Sequence, residues 1–230
     1  VGADPARLWL SRYAWGDDYH TVVRARLDRF EVALRTAFGR DVELVSHVDA
    51  GPVMERALAA QAGLGFVGKN ACLIDGERGS FHFLAVVLTD LELPFDAPVA
   101  AGCGACTRCL DACPTGALVA PGVVDARRCA SYLTVECKAP LTDEQARRVG
   151  NRVFGCDVCQ EVCPWNARTR ANTSATPAAF LPRPGLVHPR RDLLEGLWRG
   201  EFRRLFRNSP VRRRGLKALV ATARRLPRGM

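Results

Sequence analysis

Hydrophobic positions follow two different periods along the first hundred residues. Behind Asp17 and Asp18, which can cap a helix, Val22, Val23, Leu27, Phe30 and Leu34 recur at helical spacing until Gly39. Residues 42–48 read as a strand and residues 49–52 as a turn. Pro52, suited to a first helical position, predicts a helix over 53–62 that Gly63 ends. Residues 63–70 form a glycine-dense loop, through Gly63, Gly65 and Gly68, of the kind that lets backbone approach a ligand closely. No Gly-x-Gly-x-x-Gly frame follows a strand there, so a Rossmann site is not supported. Strands over 71–74 and 81–89 flank a turn at 75–80, the second apolar enough for burial on both faces. Residues 93–98 read as a linker. Further on, the pattern predicts a short helix over 114–118, a helix over 125–135, a loop over 171–189, and basic helices over 192–207 and 210–225.

At 230 residues and 48% hydrophobic, the chain can bury one large or two modest cores. It has no run of 18 apolar residues and no basic, then apolar, start, so neither a membrane span nor an export signal is expected. The net charge of +9 is uneven. From Arg168 onward, sixteen Lys and Arg face three acids, which reads either as a solvated face or as a surface for a polyanion, RNA before membrane.

Nine of the ten cysteines lie between Cys103 and Cys163. The run Cys103, Cys106, Cys109, Cys113-Pro114 has the Cys-x-x-Cys-x-x-Cys-x-x-x-Cys-Pro spacing in which the fourth Cys ligates the other of two 4Fe-4S clusters. A second run, Cys156, Cys159, Cys163-Pro164, lacks a first cysteine because Val153 stands there. The rule assigns Cys103, Cys106, Cys109 and Cys163 to one cluster. It assigns Cys113, Cys156 and Cys159 to the other, with Cys129 as the remaining ligand and Cys137 as its competitor. Cys72 reads as a buried small hydrophobe. Two four-cysteine zinc sites are the alternative, but paired Cys-Pro runs match the ferredoxin rule better than a zinc ribbon. Without an export signal, such cysteines point to metal in a reducing cytoplasm.

Several stretches resemble one family. They are Tyr13-Ala-Trp-Gly-Asp-Asp-Tyr19-His20, Val48-Asp49-Ala-Gly-Pro52-Val-Met-Glu55-Arg56, Gly63-Leu-Gly-Phe-Val-Gly-Lys69-Asn70, Gly79-Ser80-Phe81, Val124-Asp-Ala-Arg-Arg-Cys129-Ala-Ser131-Tyr132, and Gly150-Asn-Arg-Val-Phe-Gly-Cys156-Asp157 through to Asn166. Together with the cysteine runs, they resemble epoxyqueuosine reductase, the cobalamin- and iron–sulfur-dependent enzyme of queuosine synthesis in tRNA. The resemblance implies an α+β fold: a nitroreductase-like cobalamin domain over 1–99, a two-cluster ferredoxin-like domain over 100–170, and a basic helical tail over 171–230. It further implies that part of the family's N-terminal domain is missing and that residues 210–225 begin a truncated helical-repeat region.

By the same resemblance Asp49 is the proton donor, while Tyr13, Asp49, Gly68, Lys69, Asn70, Ser80, Ser131 and Asp157 contact cobalamin. Without the family, Asp49 would read as a helix cap, Lys69 as solvated, and the others as turn formers or caps. The family holds cobalamin without a histidine on cobalt, so His20 and His47 read as structural. The implied partners are the tRNA anticodon stem-loop and an external electron donor, the chain being a cytoplasmic monomer. Two rivals remain: a reductive dehalogenase-like enzyme, and a two-cluster electron-transfer protein without substrate.

Overall fold

The computed structural model describes residues 4–39, 41–169 and 176–228. Its first half is built from one long helix and several short elements. Strand β1 (Trp9–Leu10) leads into helix α1 (Tyr19–Phe38), whose first turn is capped by the Asp18 carboxylate accepting the His20 N–H. Strand β2 (Leu44–His47) is followed by helix α2 (Glu55–Gln61), strands β3 (Phe66–Val67) and β4 (Leu73–Ile74), and strand β5 (Val86–Thr89). Strand β2 pairs antiparallel with β5, from Leu44 opposite Thr89 to His47 opposite Val86, and β3 pairs antiparallel with β4.

Four expected elements come out shorter, the strand over 42–48 by closing to Leu44–His47. Helix α2 begins at Glu55 rather than residue 53, leaving Pro52 in the preceding bend, because Asp49 adopts φ 54° and the turn takes up two more residues. Strand β4 starts at Leu73 because Ala71 is left-handed, with φ 60°. Residues 81–85 stay outside the ladder, and β5, which among the described residues pairs with β2 alone, is half-exposed rather than buried on both faces.

The second half holds helix α3 (Arg108–Ala112), a hairpin of β6 (Leu118–Ala120) and β7 (Val123–Val124), and helices α4 (Ala130–Val135) and α5 (Asp143–Val149). Helix α5 starts in a capping box between Thr142 and Gln145, a signal in the sequence that the hydrophobic pattern did not use. Strand β8 (Arg152–Phe154) returns to pair parallel with β1. Helix α6 (Val158–Glu161) carries Cys159, and Cys163 stands between it and α7 (Pro164–Thr169). The tail contributes α8 (Arg191–Glu195), α9 (Arg199–Leu205), α10 (Val211–Arg214) and α11 (Leu216–Arg225).

Residues 114–117 make a turn, not a helix, and Leu118 already belongs to β6. The Cys113 carbonyl accepts the Gly116 N–H and its sulfur accepts the Ala117 N–H, so the chain wraps around the thiol. The helix expected over 125–135 is split by Cys129, which is extended at φ −65° and ψ 125°. Each expected basic helix is two, broken at 196–198 and at Gly215. Part of the loop expected over 171–189 lies outside the described residues; the remainder includes a short turn at Ala178–Phe180.

One large core joins the start, the middle and the end of the chain. Leu8, Leu10, Ala14, Leu133, Val149, Val153, Phe154, Leu194, Phe206, Leu219 and Leu226 share it. Each large side chain buried there contributes about 1.5–3 kcal/mol relative to exposure. The buried Arg191 guanidinium donates to the carbonyls of Ala223 (3.0 Å), Leu226 (3.3 Å) and Pro227 (2.7 Å), satisfying the open end of α11. A smaller core of Phe66, Ile74 and Cys163 packs against Cys103 and Trp165. No helix among the described residues is long and apolar enough to cross a membrane.

Candidate functional site

Cys103 and Cys106 stand on the loop before α3, Cys109 on α3 itself, and Cys163 between α6 and α7. Packing of α3 on α6 brings the distant Cys163 to the other three. All four thiols line one cavity of about 280 Å³, together with Lys69, Asn70, Arg108 and Trp165. Four cysteines around one cavity fit a 4Fe-4S cluster, which takes one thiolate per iron.

The second set is gathered by a different route. Cys129 lies close enough to Cys156 and Cys159 to disfavour their ionisation, and Cys156 disfavours that of Cys159. Burial pushes the Cys156 thiol up to about 11, and the Cys72 thiol, followed by burial, raises that of Cys159. Coordination to iron would relieve both, because a metal takes the thiolate outright. Burial also opposes ionisation of Cys113, yet the N–H groups of Leu118 and Ala117 outweigh it and hold that thiol below its usual range. Cys72 is half-buried and its thiol meets that of Cys159, a contact that reading it as a plain hydrophobe missed. The Cys137 sulfur instead faces the Ala139 carbonyl at 3.8 Å.

The residues expected around cobalamin fall into two groups. Gly68, Lys69, Asn70 and Ser80 sit against the cysteine loops. The Lys69 ammonium donates to the carbonyls of Gly104 (2.8 Å) and Cys106 (3.0 Å), and Asn70 donates to the Cys159 carbonyl (3.3 Å). A Cβ at Gly68 would lie 2.4 Å from Ile74 Cδ1, so this glycine serves close packing inside the protein. Ser80 is buried. Its N–H donates to Asn166 Oδ1 at 2.6 Å, and its hydroxyl donates to Gln160 Oε1 and accepts from Asn166 Nδ2, both at 2.9 Å.

The other group surrounds Asp49, at the end of β2. Its carboxylate accepts from the Tyr19 hydroxyl, and His20 Nε2 lies 3.4 Å from the same oxygen. His20 is held on its other side by Asp18, at 2.7 Å. Tyr19 stacks on Phe83 at 4.4 Å and meets Tyr13 edge-on at 6.1 Å. Burial first, and the Asp49 carboxylate second, hold the Tyr19 hydroxyl far above its usual range, so it is a hydrogen-bond donor at any neutral pH. Tyr13 is raised by burial and then by Asp157 and other acids, while Arg213 of α10 opposes both shifts. Arg213 thus carries the tail's charge towards Asp49. Asp157 is buried and accepts from the Ser11 hydroxyl and the Arg12 N–H, and burial raises its carboxyl pKa. Ser131 is half-buried on α4. Sequence reasoning gave Tyr19 and His20 no part beside Asp49, although the Asp18 cap fixes both in the first turn of α1.

Residues 102–166 match a family model described as a 4Fe-4S double cluster binding domain, and residues 2–50 one described as epoxyqueuosine reductase QueG, DUF1730. Over 214 residues the chain is 44% identical to an epoxyqueuosine reductase of Salmonella typhimurium, and over 212 residues 43% identical to that of Xanthomonas campestris pv. campestris. Each alignment covers 92% of this chain. The chain belongs to the epoxyqueuosine reductase family. It spans 54% and 59% of those two relatives' length.

The fold agrees. A crystal structure of epoxyqueuosine reductase with a tRNA-Tyr epoxyqueuosine-modified stem loop superposes with a TM-score of 0.88 at 38% identity, covering 97% of this chain and 58% of that one. A Bacillus subtilis family member, described with its catalytic aspartate loop swung out of the active site, gives 0.86 at 36%, covering 97% of this chain and 58% of that one. The mixed α/β architecture with a double-cluster region is therefore that of the epoxyqueuosine reductases.

Proposed function

We propose that this chain is the cluster-bearing and proton-donating part of an enzyme that reduces epoxyqueuosine to queuosine in the tRNA anticodon loop. The observation that carries the reading is Asp49. It is an open carboxylate, 59% exposed, on a left-handed turn and gripped by Tyr19 and His20, in a chain that also holds two sets of cluster-competent thiols. Residues 1–99 would form the cobalamin and substrate part, nitroreductase-like in fold, residues 100–170 the ferredoxin-like part, and residues 171–230 the basic tail. In this reading the ligands of one cluster are Cys103, Cys106, Cys109 and Cys163, and those of the other Cys113, Cys129, Cys156 and Cys159.

The residues assigned to cobalamin fit it as a wall more than as a set of hydrogen-bond partners. Asn70, Ser80 and Asp157 are buried and spend polar atoms on the protein. Asp49, Ser131 and the 39% exposed Tyr132 keep open surface. When bound, the clusters and cobalamin supply the two electrons that the reaction consumes. Two protons are also consumed, the epoxide oxygen leaves as water, and a carbon–carbon double bond remains. Asp49 holds one of these protons and delivers it to the oxygen as the ring opens, removing the penalty of a free alkoxide. Tyr19 donates to the Asp49 carboxylate and fixes its direction. His20, tied to both Asp18 and Asp49, can return a proton to the carboxylate between turnovers.

The stem loop named with the related crystal structure supports tRNA as the substrate, and the aspartate loop named for the B. subtilis protein supports Asp49. The relatives named above are reductases of this kind, which favours the reading over a dehalogenase or a bare ferredoxin. An external donor, a monomeric chain and a cytoplasmic setting complete it. The test is anaerobic reconstitution with iron, sulfide, cobalamin and a reductant, followed by mass analysis of nucleosides from epoxyqueuosine-containing tRNA. Conversion to queuosine is expected. Unchanged epoxyqueuosine with both clusters and cobalamin bound would falsify the activity.

A further inference from the structure

Lys69 is held by its backbone and its side chain against the same cysteine loop. Its N–H points at Cys103 Sγ from 3.4 Å, and its ammonium reaches the carbonyls of Gly104 and Cys106 at 2.8 and 3.0 Å. Its own carbonyl accepts the Gly122 N–H at 2.9 Å. The turn it occupies is closed by Ala71 N–H to Gly68 O and by Gly68 N–H to Cys72 O, both 2.9 Å. Both neighbours are buried, so the segment cannot swing away without opening the small core. Lys69 therefore lines the cavity shared by Cys103, Cys106, Cys109 and Cys163 in a fixed position.

A 4Fe-4S cluster with four thiolates is an anion, and reduction makes it more negative. A fixed ammonium nearby and an N–H aimed at a ligating sulfur both favour the reduced form. We propose that Lys69 is a positioning residue of the first cluster, fixing the 103–106 loop and raising the cluster's reduction potential. The inference rests on the double-cluster region and not on the tRNA reaction, so either can fail alone.

The experiment is a redox titration of the anaerobically reconstituted full chain, followed by visible absorbance and electron paramagnetic resonance. Wild type, Lys69→Gln and Lys69→Arg are compared, and Cys129→Ala identifies the second cluster's signal. In Lys69→Gln carrying full iron and sulfide, the first cluster's reduced-to-oxidised ratio at a fixed potential is expected to fall about tenfold, ~59 mV for one electron. The second cluster should not move, and Lys69→Arg should stay within about twofold of wild type, since it keeps the charge. Loss of the first cluster alone in Lys69→Gln, restored in Lys69→Arg, also supports the assignment. A fully loaded Lys69→Gln that titrates with wild type overturns it. So does a Lys69→Arg chain shifted as far as Lys69→Gln, or loss of both clusters in each variant.

Discussion

Asp49 and Tyr19 differ in how they could be found and in what their removal should do. Asp49→Asn keeps the shape and the bond from Tyr19 but cannot give up a proton. The expected loss in queuosine formation is about 10²–10⁴-fold, the usual worth of a general acid. Iron content and cluster absorbance should match wild type, and a normal rate would remove Asp49 from the chemistry. Tyr19→Phe leaves the acid but frees its direction. About tenfold in kcat is expected to go, in keeping with one hydrogen bond to a charged group, with KM for the stem loop unchanged; a change in KM alone would make Tyr19 a binding residue. Asp49 stands out as the proposed proton donor only through resemblance, because Asp49-Ala-Gly-Pro52 otherwise reads as a turn and cap. Tyr19 was hidden because the periodicity that announces α1 says nothing about what its first turn faces. Lys69 was legible as a residue that matters but not as a partner of the cysteine loop, since no local pattern encodes a contact 35 positions away.

Between elements, small polar knots do the joining. The knot of Ser80, Gln160 and Asn166 ties the 75–80 turn to α6 and α7, and Gly79 is its tightest point. At φ 75°, a Cβ on Gly79 would lie 2.0 Å from Asn166 Oδ1. Gly79→Ala must therefore strain the backbone and break the bond to the Ser80 N–H. A loss of about 2–4 kcal/mol is expected from a left-handed non-glycine residue and a buried donor left open. Chemical denaturation of the reconstituted chain measures it, and a change under about 0.5 kcal/mol would count against the knot. A second knot joins α1 to β2. The Ser46 hydroxyl first, and Arg24 second, hold the Glu31 carboxyl below its usual range. A depressed carboxyl stabilises the fold above the unfolded-state value near 4.3, and the gain is lost as pH falls through the lower folded value. Ser46→Ala should cost about 0.5–1 kcal/mol at neutral pH, and its gap from wild type should close on acidification. A gap that widens instead would refute the sign. The sequence showed α1 and its Asp18 cap because both are local. It did not show that the basic helices break at 196–198 and Gly215, because Arg-rich residues fill both sides of each break and keep the pattern running.

For the whole molecule, the excess positive charge of the tail sorts into two kinds. Arg191 is buried against the end of α11, Arg183 donates to Asp17, Arg214 to the Cys137 carbonyl, and Arg224 to the Glu195 carbonyl. Arg191 and Arg224 tie the tail's own helices together, and Arg183 and Arg214 tie it to the rest of the chain, so part of what looked like an RNA surface is structural. Arg203, Arg204, Arg212 and Arg213 are exposed on α9 and α10, and Arg213 also acts on Tyr13 and Tyr19 beside Asp49. If those four meet phosphates of a stem loop lying over Asp49, each contact releases a counterion. The slope of log affinity against log salt should then fall by about 0.7–0.9 per phosphate, or about 3 for the fourfold alanine variant. Titration of an epoxyqueuosine stem loop across a range of salt concentrations reads this directly. The variant should keep its thermal stability, because among the described residues these four side chains make no hydrogen bond or ion pair on which the core depends. Arg191→Ala should do the opposite, lowering stability through the open carbonyls of α11. An unchanged salt slope in the fourfold variant would move the RNA surface away from the tail and leave its charge as a solvated face.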